Sequence, residues 1–216
     1  MSEHFIIRFF KEEEWQSVNY TIRWNGKRRC KDETLKDHLF LCGVFSTILI
    51  EDILPDEIAL HLEVTRAALF HDFVDEALTG DLSHDLKYNE VNGAELRCLL
   101  FDFVLKKTSE KLDSEVASEK ILIKSIQYDK SSVVYRVIKF IDWLACYYYV
   151  CQEIEMGNKS FLKYLQKIED KIIQVSEDLV EDFSFYYPTK FNKKPIFDII
   201  NFVRQNNKEY VNTRTI

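Results

Sequence analysis

Apolar residues recur at helical spacing through most of the chain, interrupted by short polar connections. Residues 33–52 place Leu35, Leu39, Cys42, Phe45, Ile48 and Leu49 on one stripe, which predicts a helix with a buried face. Pro55-Asp56-Glu57 sets proline and acidic residues where a first turn favours them. The helix they open is expected to pass through Ile58, Leu62, Thr65, Ala68 and Leu69 into His71-Asp72 and to end at Gly80. Further helices are expected over 90–112, with Leu96, Leu99, Leu100, Phe103 and Val104 inward, and over 115–126. Residues 131–156 form the most apolar segment, with Val137, Ile138, Ile141, Leu144, Ala145 and Tyr148 inward and Gly157-Asn158 as its stop. Residues 159–185 carry Phe161, Leu165, Ile168, Ile172, Val175, Leu179 and Phe183 on one side, and 196–205 predict a last short helix. Upstream, residues 2–16 predict one helix or two short ones. No repeat, low-complexity tract or strand set is visible, so the fold class is all-α, in a single helical domain.

Composition agrees with long helices and short connections: 216 residues hold only 5 Gly and 3 Pro, against 16 Phe and 11 Tyr. The formal net charge of −7 argues against generic nucleic-acid binding, which needs a basic surface, but leaves room for a small anionic substrate in a local basic pocket. Five scattered cysteines without a CxxC pair read as reduced thiols of a cytoplasmic protein. The first residues lack the pattern of a secretory leader, and no apolar run reaches the roughly 20 residues of a membrane helix. No membrane partner is therefore expected.

Candidate chemistry concentrates in His71-Asp72-Phe73-Val74-Asp75-Glu76-Ala77-Leu78-Thr79-Gly80-Asp81. An imidazole beside a carboxylate suits a divalent transition metal. Neighbouring helix positions point about 100° apart, so both side chains reach one ion only if it lies between them at a helix end. Asp75 and Glu76 each follow one member of the pair by four residues and share its helix face. Any acidic surface helix can contain such a dipeptide, so partners are needed. His38 lies beside the stripe of Leu35, Leu39 and Cys42, either as a satisfied core residue or as a ligand. Asp142 sits in the most apolar helix, where a carboxylate requires a metal, a cation or donors, or else a surface pair with Lys139 or Arg136. Arg23-Trp24, ahead of the turn dipeptide Asn25-Gly26 and the basic Lys27-Arg28-Arg29, reads either as a phosphate fork beside a flat ring or as a solvated loop with its Trp in the core.

His38, His71-Asp72 and Asp142 fall on three successive helices, in the order that resembles the HD-domain metal-dependent phosphohydrolases. The stretches Ile22-Arg23-Trp24, Asp37-His38, Leu78-Thr79-Gly80-Asp81-Leu82 with Lys87-Tyr88, and Asp142 with Leu144, Tyr147 and Gly157-Asn158 are similar to the YfbR-like 5′-deoxynucleotidases, over about residues 5–170; residues 171–216 carry no matched motif. The resemblance implies an HD-type helical bundle in which His38, His71, Asp72 and Asp142 hold one divalent ion, Mn or Co. It implies a nucleotide substrate whose phosphate is clamped by Arg23, with Trp24 packing on the nucleotide and helping to reject a ribose 2′-hydroxyl, and Thr79 and Lys87 binding near it. Asp81 would orient or deprotonate the attacking water, and Glu76 or Asp75 would protonate the leaving 5′-oxygen. A homodimer is allowed.

Three departures stand beside the resemblance. Asp37 replaces the family's Glu before the first His, one extra residue separates His71-Asp72 from Thr79-Gly80-Asp81, and Ser83-His84-Asp85 replaces a Pro-rich segment. The extra residue is why the acid is ambiguous: counting from His71 selects Asp75, counting back from Thr79 selects Glu76, and the unbroken Glu-Ala-Leu-Thr-Gly-Asp run favours Glu76. The competing functions are a triphosphohydrolase, with Lys27, Arg28, Arg29 and Lys87 as additional cations, and a non-catalytic nucleotide-binding or scaffolding module.

Overall fold

Ten α-helices and two short 3-10 turns carry the described residues, 5–24, 26–81 and 93–212, of the computed structural model, and no strand occurs among them. The helices are α1 (Phe5–Lys11), α2 (Glu13–Gln16), α3 (Leu35–Ile53), α4 (Ile58–Phe70), α5 (Phe73–Thr79), α6 (Gly93–Lys111), α7 (Ala117–Ile126), α8 (Val133–Glu155), α9 (Leu162–Tyr186) and α10 (Lys194–Asn212). The all-α expectation therefore holds. Among the described residues no helix is long and apolar enough to cross a membrane. All five cysteines are free thiols.

By internal contacts the chain divides into two compact units. The first comprises residues 1–28, 32–40 and 69–128. Its core gathers Trp15, Val18, Leu35, Leu39, Phe73, Val74, Ala77, Leu112 and Leu122. Trp15 is fully buried, stacked on Phe73 at 6.1 Å and met edge-on by Phe5 at 5.2 Å, while its indole N–H donates to Glu12 at 2.9 Å. The ring thus brings apolar area to the core and keeps its one polar atom satisfied. An isolated antiparallel bridge joins Ile22 to Thr34, with the Arg23 amide donating to the Glu33 carbonyl at 2.9 Å and the Leu35 amide to the Thr21 carbonyl at 2.8 Å. This pairing holds Arg23 and Trp24 beside the start of α3.

The second unit comprises residues 29–31, 41–68 and 129–216. Its axis is α8, opened by the Ser132 hydroxyl accepting from the Tyr135 amide at 3.1 Å and followed by Gly157 at φ 93°, a conformation that favours glycine. α9 packs against it through the stripe Leu165, Ile168, Ile172, Leu179 and Phe183, all buried as expected. Glu153, fully buried near the end of α8, accepts from the Cys30 and Lys31 amides at 2.8 Å each, the Asn158 side chain at 2.6 Å and the Tyr149 hydroxyl at 3.2 Å. A buried carboxylate is tolerable only with such donors. Here it pins residues 30–31 to the helix.

Several sequence expectations need correction. The helix expected from Pro55 to Gly80 is interrupted: α4 ends at Phe70, His71 and Asp72 form a turn, and α5 begins at Phe73. Asp72 takes the N-cap position, but its carboxylate makes no capping bond and instead meets Arg23 at 3.1 Å and His71 at 3.3 Å. The helix expected from Glu33 begins at Leu35, because Glu33 and Thr34 take part in the bridge. Ile48, Leu99, Phe103 and Tyr148 are exposed instead of inward; in α8 the buried tyrosines are Tyr147 and Tyr149. The last helix is longer than expected, Lys194–Asn212.

The hydrogen bonds onto Glu153 outweigh the desolvation that would raise its carboxyl, and hold it below the ordinary value of 4.5. Such a group stabilises the fold above its unfolded value, and that contribution is lost as pH falls through the folded value. Glu153→Gln should therefore cost about 2–3 kcal/mol at pH 7. Urea unfolding of wild type and variant should converge only as pH falls through the lowered folded value, where the wild-type carboxyl also becomes neutral.

Candidate active site

Thr34 and Asp37 open α3 as a reciprocal cap. The Asp37 carboxylate accepts from the Thr34 amide at 3.2 Å and hydroxyl at 2.6 Å, and the Thr34 hydroxyl accepts from the Asp37 amide at 3.2 Å. With the helix start fixed and Leu35 and Leu39 drawn into the core, His38 is carried inside, 0% exposed. Asp37, the residue that departs from the family's Glu, thus serves the helix start. His71 is buried in the turn between α4 and α5, its ring centroid 5.6 Å from that of His38. The break in the helix at His71-Asp72 relieves the roughly 100° divergence that a continuous helix would impose. His71 Nε2 lies 3.3 Å from Asp72 Oδ2. One ligand atom from each of His38, His71 and Asp72 lies within 4.8 Å of the others.

Around this group stand Arg23, Glu33 and Glu76. One guanidinium nitrogen of Arg23 donates to Asp72 at 3.1 Å and to Glu76 at 3.1 and 3.3 Å, and Arg23 Nε lies 3.7 Å from a Glu33 oxygen. The indole N–H of Trp24 donates to that same Glu33 oxygen at 3.1 Å, and the other Glu33 oxygen is 3.9 Å from His38 Nδ1. Three carboxylates against one guanidinium leave two excess negative charges when all are ionised, in surroundings where Glu33 and Glu76 are buried. A divalent cation beside two imidazoles and a carboxylate balances that charge, and the donor types suit Mn, Co, Fe, Ni or Zn. The residues present fit such an ion.

Sequence reasoning named Arg23, Trp24, His38, His71, Asp72 and Glu76, and these come together through the contacts above. It missed Glu33. The pairing that brings Glu33 to Trp24 is an isolated bridge, without the periodicity that marks a strand, so only its carboxylate in an otherwise polar connection hinted at it. The Thr79 hydroxyl donates to the Gly80 carbonyl at 3.0 Å, and Asp81 follows the glycine, half-buried. The Asp75 side chain, Lys87 and His84 lie outside the described residues. Asp142 belongs to the second unit, where Lys139 lies 3.1 Å from its carboxylate, the ion pair weighed from the sequence.

An all-α chain that gathers a histidine from one helix and a His-Asp pair from the next turn has the arrangement of the HD class of phosphohydrolases. Comparison with protein families agrees: the family described as 5′-deoxynucleotidase YfbR-like matches residues 12–191. The chain belongs to that family and is a hydrolase that acts on nucleotides. No curated protein matches it.

Because the two imidazoles are buried and the donor atoms are close, loss of one imidazole should be felt directly in metal affinity. His38→Ala or His71→Ala should weaken Mn or Co binding by at least about 100-fold, the upper range for removing even an outer-shell partner. Calorimetric titration of the metal into EDTA-treated protein checks this.

Proposed function

We propose that the protein removes the 5′-phosphate from deoxyribonucleoside 5′-monophosphates. The observation that carries this reading is Arg23, a cation held between Asp72 and Glu76 beside the two buried histidines. A phosphate needs such a fork at the edge of a metal-binding group.

His38, His71 and Asp72 would hold the divalent ion, with Asp142 as the fourth ligand on the ground of the family resemblance alone. When bound, the ion would supply charge neutralisation for the phosphate and acidify a water beside it. Arg23 binds the phosphate oxygens and stabilises the charge that spreads over them as the ester bond breaks. In doing so it exchanges part of its bond to Glu76 for the phosphate. The released Glu76 carboxylate takes up a proton from solvent as its bond to the guanidinium loosens and passes it to the leaving 5′-oxygen, with Asp75 the other candidate for that step. Asp81 takes the proton of the attacking water. The oxygen–phosphorus bond of the ester breaks, the bond from water to phosphorus forms, and nucleoside and orthophosphate leave. Trp24 presents its ring to the nucleoside and Thr79 borders the bound substrate, a role that the family resemblance alone extends to Lys87.

The test is orthophosphate release from deoxy- and ribonucleoside monophosphates and from deoxynucleoside triphosphates, with Mn, Co or EDTA. Metal-dependent release from the deoxy monophosphates, abolished by EDTA and by Asp142→Asn, is expected. Arg23→Ala should lower kcat/KM by about 100- to 1,000-fold, as for loss of one charge-stabilising donor. Triphosphate release from the triphosphates, or no product from any monophosphate, would contradict the reading.

A further inference from the structure

Glu33 reaches three members of the proposed site: Trp24, Arg23 and His38. Its carboxylate is 7% exposed. One oxygen accepts from the Trp24 indole at 3.1 Å and faces Arg23 Nε at 3.7 Å, and the other faces His38 Nδ1 at 3.9 Å. Its backbone carbonyl accepts the Arg23 amide at 2.9 Å. Trp24 itself has a φ of 60°, a left-handed conformation rare for a bulky residue, which persists only where the surroundings impose it. The Lys27 amide closes the turn onto the Trp24 carbonyl at 3.0 Å, and the indole bond fixes the ring from the other end.

We infer that Glu33 is a positioning residue that sets the sugar selectivity of the site by locking the Trp24 ring in register with Arg23. This rests on the function proposed above and on the part in rejecting a ribose 2′-hydroxyl that the family resemblance implies for Trp24; what the geometry adds is the Glu33 tether. A carboxylate shared between an indole and a guanidinium couples the face that meets the sugar to the fork that meets the phosphate. With both fixed, a ribose 2′-hydroxyl that meets the ring cannot be relieved by rotating the ring or sliding the phosphate. Without the tether the ring yields and the additional hydroxyl is tolerated. Rigid placement of a bounding side chain is how a pocket turns one small group into discrimination, typically ten- to 200-fold for a single small group.

The experiment compares kcat/KM for a deoxyribonucleotide and the matching ribonucleotide in wild type, Glu33→Ala, Glu33→Gln, Trp24→Phe and the double variant Glu33→Ala/Trp24→Phe. Glu33→Ala should reduce the deoxy-to-ribo ratio by about tenfold or more. Glu33→Gln, whose amide oxygen still accepts from the indole, should recover most of it. In the Trp24→Phe background Glu33→Ala should change the ratio no further, because both substitutions remove one interaction. Independently of turnover, the Trp24 indole N–H resonance, assigned through Trp24→Phe, should exchange faster with solvent in Glu33→Ala and remain protected in Glu33→Gln. If Glu33→Ala does not fold, Glu33→Asp, with an acceptor one methylene shorter, replaces it. A selectivity that survives loss of indole protection, or effects that add in the double variant, would overturn the inference alone. Wild-type protein that hydrolyses neither sugar would overturn the reading of the site and this inference with it.

Discussion

The charge balance in the first unit constrains everything around it. Asp72, Glu76 and Glu33 surround a single guanidinium, and the two imidazoles beside them are buried. Carboxylates taken out of water without compensation are costly, and Arg23 answers only part of that cost. The remaining negative charge is what a divalent ion would neutralise. The same imbalance makes the group useful, because a site that attracts a metal and already holds an arginine can receive a phosphate. The pairing of Ile22 with Thr34 and the cap formed by Thr34 and Asp37 exist next to this cluster and fix where Arg23, Trp24, Glu33 and His38 emerge.

The interrupted helix at His71-Asp72 resolves a geometric difficulty already present in the sequence. Two adjacent residues on one continuous helix diverge, and a metal site built on them needs a helix end. The chain ends one helix at Phe70 and begins another at Phe73, so the pair occupies a turn. Apolar residues on both sides, Val64, Ala67 and Ala68 before it and Phe73, Val74 and Ala77 after it, are buried. Periodicity alone reads straight through such a break, because the stripe continues on both sides of it.

Much of the fold was legible because long amphipathic helices leave a repeated signal. The stripe of α9 is the clearest case, with Leu165, Ile168, Ile172, Leu179 and Phe183 expected inward and found buried. The exposed Ile48, Leu99, Phe103 and Tyr148 were misread since an apolar residue at the margin of a stripe is not obliged to be covered. Within the site, His38, His71, Asp72, Glu76 and Arg23 stood out because charged or metal-ligating side chains are conspicuous against apolar neighbours and match a known order. Glu33 did not, because its partners Trp24 and Arg23 reach it through a bridge without periodicity. Glu153 was hidden for the same reason: its donors Cys30 and Lys31 come from a distant polar connection.

The central claim is that the buried histidine pair and Asp72 bind a divalent ion. Anomalous diffraction from crystals grown with Mn or Co, recorded at the absorption edge of that metal, tests it most directly. The account predicts one strong peak within about 2–2.5 Å of a nitrogen from His38, a nitrogen from His71 and an oxygen of Asp72. A crystal with no peak there, or with the ion bound only at other residues, would contradict it.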